Sequence, residues 1–328
     1  MKILLTGNNG FIGSQFITLF SNKYEITGLD NNYFCDDENY ENISFIKKDI
    51  RKINSSDLEN IDVVVHMAEL CNDPLSDLNP KLTVDINVNA TQKLIKLCDE
   101  AGVKKMIYMS SCSVYGKSQD EVVNEKSEVA GLTEYAKAKI SNENFINDND
   151  FQNLEIIMLR NATVYGYSNN IRLDLVVNNL TYFGLKNNFI ELYSDGSPLR
   201  PLVHVSDLCN VIDYFIESNK NWHKETFNVG SNNQNYSIRD IAISVSKTLN
   251  IDDLKFNYEN KDQRSYKVNF DKLKTATNFE PNYDLDRGIK ELVNKIDLDK
   301  PYKNALRLKK INQLIVEGKI DLNLNWIN

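Results

Sequence analysis

Short apolar runs alternate with longer amphipathic stretches through the first 160 residues. Strands are expected at Lys2–Leu5, Glu25–Leu29, Ile43–Ile46, Val63–His66, Lys105–Met109 and Leu154–Leu159. Helical periodicity appears at Phe11–Phe20, Leu82–Ala101 and Tyr135–Asn147. Val63-Val64-Val65 has no polar alternation, so that strand is expected to be buried on both faces, as in a parallel sheet. Strand–helix alternation implies βαβ units and a doubly wound parallel α/β sheet.

After residue 166 the texture changes to Asn-rich loops and shorter elements. Helices are expected near Leu173–Phe183, Ser206–Glu217 and Ser237–Leu249, with strands near Phe189–Tyr193 and Leu202–Val205. The division expected is a nucleotide-binding domain over 1–165 and a smaller mixed α/β C-terminal substrate lobe over 166–328, some segments returning to the first domain. The stretch from Lys300 has a charged helix near Ala305–Glu317 and a polar tail, and reads as a surface appendage.

Composition narrows the class. The net charge is -8, which argues against binding a phosphate backbone and so against a nucleic-acid partner. The N-terminus runs straight into a strand, with no signal-peptide pattern, and no apolar run is long enough for a membrane span. Five cysteines lack CxxC spacing, and three histidines are far apart. A reduced, cytoplasmic protein without a metal site is expected.

Thr6-Gly7-Asn8-Asn9-Gly10-Phe11-Ile12-Gly13 lies between the first strand and the first helix. Gly7 permits the tight turn, Gly10 lets backbone approach a pyrophosphate, and Gly13 permits close helix packing. The helix N-terminus then offers free N–H groups and a favourable dipole to the anion. This is the turn of a Rossmann-type domain. The second strand ends at Asp30, followed by Asn31, where a carboxylate accepts hydrogen bonds from ribose hydroxyls and repels a 2′-phosphate. NAD is therefore the expected cofactor.

Tyr135 and Lys139 are four apart on a helix and share a face. An ammonium beside a phenol favours the phenolate, so the phenol is expected to be pulled toward neutrality and to exchange a proton with a sugar hydroxyl. Upstream, Ser110-Ser111-Cys112-Ser113 ends a buried strand, where ligands bind in open α/β sheets. Its hydroxyls can fix a substrate oxygen.

Together these motifs resemble the extended short-chain dehydrogenase/reductases of the NAD-dependent epimerase/dehydratase family, from residue 1 to about 290. The resemblance implies Ser111, Tyr135 and Lys139 as the catalytic set. It places Asp49 and Ile50 at adenine and Met67, Ala68 and Glu69 flanking the pyrophosphate. Asn87 would support the site from the long helix, and Ser110 would join the cofactor contacts with Asn9, Phe11 and Ile12. On the substrate side it implies Cys112, Ser113, Asn161, Thr163, Arg172, the pair Asn179 and Leu180, and the phosphate arginines Arg200 and Arg264. Two arginines suit a diphosphate because each offers a planar donor fork. Pro201 stands where the family carries an acidic residue, and Asn161-Ala162-Thr163 where it often carries Tyr-Phe-Asn. Cys112 reads as either a sugar contact or a packing residue, Tyr193 as a base-stacking or core aromatic, and His204 as a structural histidine ahead of a catalytic one. A homodimer through the Leu82–Ala101 and Tyr135–Asn147 helices is also implied.

Three reactions share this machinery. Dehydratases of the family place Asp-Glu after the catalytic Ser or Thr; this chain has Cys112-Ser113, so dehydration is disfavoured. The expected activity is a nucleotide-sugar 4-epimerase working through a transient 4-keto sugar in surface-polysaccharide synthesis. The alternatives are a C4 dehydrogenase or ketoreductase, for example on a GDP-heptose, and a non-catalytic NAD sensor.

Overall fold

The structure is a computed structural model that describes residues 1–35, 42–71, 73–116, 121–257 and 265–327. Twelve named strands form three sheets among these residues. The strands are β1 Lys2–Thr6, β2 Glu25–Asp30, β3 Ser44–Lys47, β4 Val63–His66, β5 Lys105–Ser111 and β6 Glu155–Asn161, followed by β7 Thr163–Tyr165, β8 Ile190–Leu192, β9 Leu199–His204, β10 Thr226–Val229, β11 Asn235–Ser237 and β12 Leu254–Phe256. The main sheet has the order β10-β6-β5-β4-β1-β2-β3, and every pairing in it is parallel. Smaller sheets pair β11-β9-β7 and β12-β8.

The apolar runs sort themselves by the two-residue period of a strand. Ile3, Leu5, Val63, Val65, Ile107 and Met109 enter one buried cluster, while Leu4, Val64, Met106 and Tyr108 enter another on the opposite face. Both faces are covered, which explains why Val63–Val65 carries no polar position. This is the Rossmann-like doubly wound architecture expected from the alternation.

Two expectations are corrected. The stretch over Leu82–Ala101 is not one continuous α-helix. It opens at Pro80 with Asn79 as its cap, winds as a π-helix over Val84–Asn89, and becomes α-helical over Ala90–Glu100. Sequence periodicity does not separate these windings, because the register shifts by only one residue. The C-terminal stretch is also not a surface appendage. Its helix Arg307–Val316 buries Ile311 and Leu314, and Ile320 and Leu324 follow them into the core. Apolar residues spaced three and four apart did signal one buried face, but the surrounding lysines masked it.

Candidate active site

The parallel strands deliver their carboxyl ends to one edge of the main sheet, and a cavity of about 260 Å³ opens there. Its wall is built from the turn after β1, the ends of β2 and β5, the segment after β4, and residues 161–164. Gly7 adopts φ +75°, and a Cβ there would stand 2.8 Å from the Met67 carbonyl carbon. At Gly13 a Cβ would stand 2.6 Å from Asn8 Cα, so only glycine lets the helix start this close to the turn. Gly10 caps the helix Phe11–Phe20 without a side-chain partner, which leaves the first N–H groups free for an anion.

Asp30 lines the cavity. Its carboxylate accepts from the Asn32 N–H at 2.9 Å and the Asn9 N–H at 3.1 Å. Burial raises its pKa, and these N–H donors with Arg307 oppose the rise. Asp49 caps the turn Ile50–Lys52 and pairs with Arg51 at 2.6 Å. Asn31, Ile50, Met67 and Ala68 share the wall with Gly10, Phe11 and Ile12. An anion-ready helix terminus, closely packed glycines and a half-buried carboxylate at the end of β2 fit a dinucleotide.

At the other end of the cavity stand Ser111, Tyr135 and Lys139. Thr133 caps the helix Glu134–Asp148, which presents Tyr135 and Lys139 toward β5. Ser111 ends β5, and its hydroxyl accepts from the Ser113 N–H at 3.1 Å. The Lys139 ammonium lies 5.4 Å from the centre of the Tyr135 ring and donates to the Met109 carbonyl. It is also ion-paired with Glu69, and the two side chains are only 4% and 3% exposed.

This arrangement corrects the expected electrostatics. The Tyr135 phenol is held well above its ordinary value, first by burial and then by the Glu69 carboxylate; Ser111 and Arg172 pull the other way. Glu69 answers the Lys139 charge, so the lysine does not bring the phenol toward neutrality in the free protein. Burial raises the Glu69 pKa, against the pull of Lys139.

The remaining residues sort by position. Ser110 lines the cavity and donates to Glu143 at 2.5 Å. Asn161 donates to the Ser110 carbonyl at 3.1 Å, while its buried Oδ1 has no hydrogen-bond partner. Thr163 and Arg172 join the wall, the latter paired with Asp174 at 2.9 Å. Behind the wall stand several others. Asn9 is buried and donates to Asn32. Asn87, in the π-helical segment, clamps Leu70 by accepting from its N–H at 2.9 Å and donating to its carbonyl at 3.1 Å. Cys112 is buried and donates to the Arg160 carbonyl at 3.2 Å, which makes it a packing residue in this structure. The buried Ser113 Oγ has no hydrogen-bond partner.

Four substrate-side candidates lie away from the cavity wall. Asn179 donates to the Leu173 carbonyl at 2.7 Å, and Leu180 is in a separate apolar cluster. Tyr193 is 76% exposed, and Arg200 donates to the Leu199 carbonyl at 2.8 Å. Arg264 lies outside the described residues. His204 is buried, hydrogen-bonded to Glu291 at 2.7 Å and stacked on Tyr283, a structural setting.

Sequence reasoning did not single out the buried network behind the wall. Arg160 pairs with Glu143 at 2.6 Å and donates to the Tyr115 hydroxyl, which donates to Asn228. A signal existed: Glu143 follows Lys139 at the same four-residue spacing that links Tyr135 and Lys139. Arg307 also lines the cavity, and it was not anticipated.

A parallel nucleotide-binding sheet with a Ser–Tyr–Lys set at its carboxyl edge defines an extended short-chain dehydrogenase/reductase. The chain belongs to the NAD dependent epimerase/dehydratase family, which it matches over residues 3–230. The cofactor is accordingly NAD. A Methanocaldococcus jannaschii protein provisionally named UDP-glucose 4-epimerase is 28% identical over 307 residues, covering 89% of this chain and 97% of that one. The UDP-glucuronate 4-epimerase of Thermodesulfobacterium geofontis is 26% identical, over 89% of this chain and 94% of that one. Among solved structures, UDP-glucuronic acid 4-epimerase from Bacillus cereus, in complex with UDP-glucuronic acid and NAD, is 26% identical. It superposes with a TM-score of 0.79 over 90% of this chain and 98% of that one. Dehydratases are also among the relatives. No helix among the described residues is long and apolar enough to cross a membrane.

Proposed function

We propose that this chain is a nucleotide-sugar 4-epimerase working through a transient 4-keto sugar. The observation that carries the reading is the meeting of Ser111, Tyr135 and Lys139 in the cavity that also holds the glycine turn and Asp30. Gly7, Gly10, Gly13 and Asp30 would hold NAD by its pyrophosphate and ribose. NAD, when bound, supplies reversible hydride acceptance. Tyr135 exchanges the proton of the sugar O4, and Ser111 orients that oxygen by a hydrogen bond. Lys139 balances the phenolate against Glu69. Arg172 and Thr163, with the unpartnered Oδ1 of Asn161, face the sugar side.

Cys112-Ser113 after Ser111 supports epimerisation over dehydration, since neither supplies carboxyl chemistry. The relatives named for UDP-sugars make those the first substrates to test. The reading includes a role in surface-polysaccharide synthesis in the cytoplasm, and a homodimer through the helices 90–100 and 134–148.

The test is incubation of the purified protein with UDP-, GDP- and CDP-hexoses and heptoses, followed by separation of C4 epimers. Interconversion with at least one is the expected outcome. No interconversion with any of them removes the reading. A net 4-keto product in place of an epimer would make the protein a one-way C4 oxidoreductase.

A further inference from the structure

The C-terminal segment brings a cation into the cofactor cavity. Arg307 is 1% exposed, yet it lines that cavity beside Asp30, Phe34 and Arg172. Its hydrogen-bond acceptors are neutral oxygens: the Asn304 carbonyl at 2.9 Å, the Asn170 carbonyl at 3.2 Å and Asn170 Oδ1 at 3.3 Å. The guanidinium also lies 4.4 Å from the centre of the Phe34 ring. Burial, followed by the charge of Arg172, pulls its pKa down to about 10. Asp174 and Asp30 attract it through space, but the oxygens bonded to it are neutral, and a buried guanidinium is better balanced by a bonded anion.

Asn170 links that guanidinium to the glycine turn. Its Nδ2 donates to the Asn9 carbonyl inside the glycine turn and to the Phe34 carbonyl at 2.9 Å, while its Oδ1 accepts from Arg307. Arg307 is thus one side chain away from the turn whose free N–H groups face a pyrophosphate. The segment beyond it holds the same end of the cavity. Tyr33 donates to the Leu324 carbonyl, Trp326 donates to the Asn31 carbonyl at 2.7 Å, and Arg51 donates to Asn325 at 3.2 Å.

We propose that Arg307 is a ligand of the dinucleotide pyrophosphate, delivered by a C-terminal segment that walls the adenosine end of the cavity. The proposal rests on the reading of the cavity as an NAD site and is independent of the epimerase reading. It predicts that the segment is part of the cofactor site and that its arginine discriminates bound from free states by charge.

The test is calorimetric titration of wild type, Arg307→Met and Arg307→Lys with NAD and, separately, with UDP. Loss of a charge-assisted contact is expected to weaken NAD binding about tenfold or more in Arg307→Met, with Arg307→Lys weaker than wild type by several-fold. UDP binding is expected to stay within about twofold. Without ligand, Arg307→Met loses both the repulsion of Arg172 and the attraction of Asp174 and Asp30. Its NAD-induced rise in melting temperature, measured against its own unliganded state, is expected to shrink. NAD affinity within about twofold of wild type in either variant overturns the proposal, as does weakening of UDP in place of NAD. Should Arg307→Met not fold, Arg307→Lys carries the same test. A wild-type protein that binds no NAD overturns the cavity reading itself, which is a distinguishable failure.

Discussion

Glu69 and Lys139 form a buried ion pair directly beside the Tyr135 phenol. The pair sets the acid–base behaviour of the site, because the carboxylate opposes phenolate formation while the ammonium is drawn to the carboxylate. In Glu69→Gln the opposing charge is gone and Lys139 is released toward the ring. The phenol pKa should fall, and the rising limb of kcat/KM for sugar oxidation should move to lower pH by about one unit or more. A pH profile of the variant that overlays that of wild type would remove Glu69 from this role.

Removing the phenol itself tests the proton path. Tyr135→Phe keeps the ring packing but abolishes exchange, so kcat should drop by about 10²–10⁴. NAD affinity should change little, and titration of the same preparation checks that. Turnover near the wild-type level would end the tyrosine mechanism.

Asp30 makes a prediction about cofactor choice. Its carboxylate is half-buried at the end of β2, where a 2′-phosphate would meet a like charge. Asp30→Ser should weaken NAD and narrow the preference over NADP by about tenfold or more. Parallel titrations with both dinucleotides give the ratio.

The Glu143–Arg160 pair is buried, so breaking it leaves a charge without its partner. Glu143→Gln should destabilise the protein by about 3–5 kcal/mol. Thermal unfolding should show a drop of about 4–7 °C for a chain of this length. The double variant Glu143→Leu, Arg160→Met should recover much of the loss; failure to recover would mean the pair acts through something other than charge balance.

His66 gives a pH dependence of stability. It is enclosed between the Thr6 and Thr91 hydroxyls, and burial, with Lys139, lowers its pKa to about 3. The unfolded imidazole takes a proton near its ordinary 6.5 while the folded one does not, so protons favour unfolding across that interval. Stability should fall as pH drops below about 6.5, by up to about 1.4 kcal/mol per unit from this group. His66→Asn should flatten that slope between pH 6.5 and 4.5 in chemical denaturation, and an unchanged slope would assign it to other groups.

Much of this site could be read from the chain because its signals are local. The glycine turn, Asp30 and the Tyr135–Lys139 spacing each depend on a few neighbouring residues and on the strand that precedes them. Fold class followed for the same reason: the centres of β1, β4 and β5 are apolar at consecutive positions, as two covered faces require. What could not be read depends on partners distant in sequence. Glu69 meets Lys139 only after the segment following β4 packs against the helix 134–148. Arg307 reaches Phe34 and Asn170 only once the chain's last quarter has crossed back over its first. Tyr193 and Arg200 failed to reach the cavity because a motif fixes a residue's place on its element but not the path of the surrounding loops.

The position of β10 in the main sheet bears on how the protein is made. Thr226–Val229 adds to the outer flank of β6, although β7, β8 and β9 intervene in the chain. During synthesis the nucleotide-binding sheet therefore waits for residues that emerge long after its other strands, with the β6 edge bare in the meantime. A nascent chain arrested before residue 226 would expose Glu155–Asn161 as a pairing template, so cutting the protein at the apparent lobe boundary should yield an aggregating fragment instead of a working half.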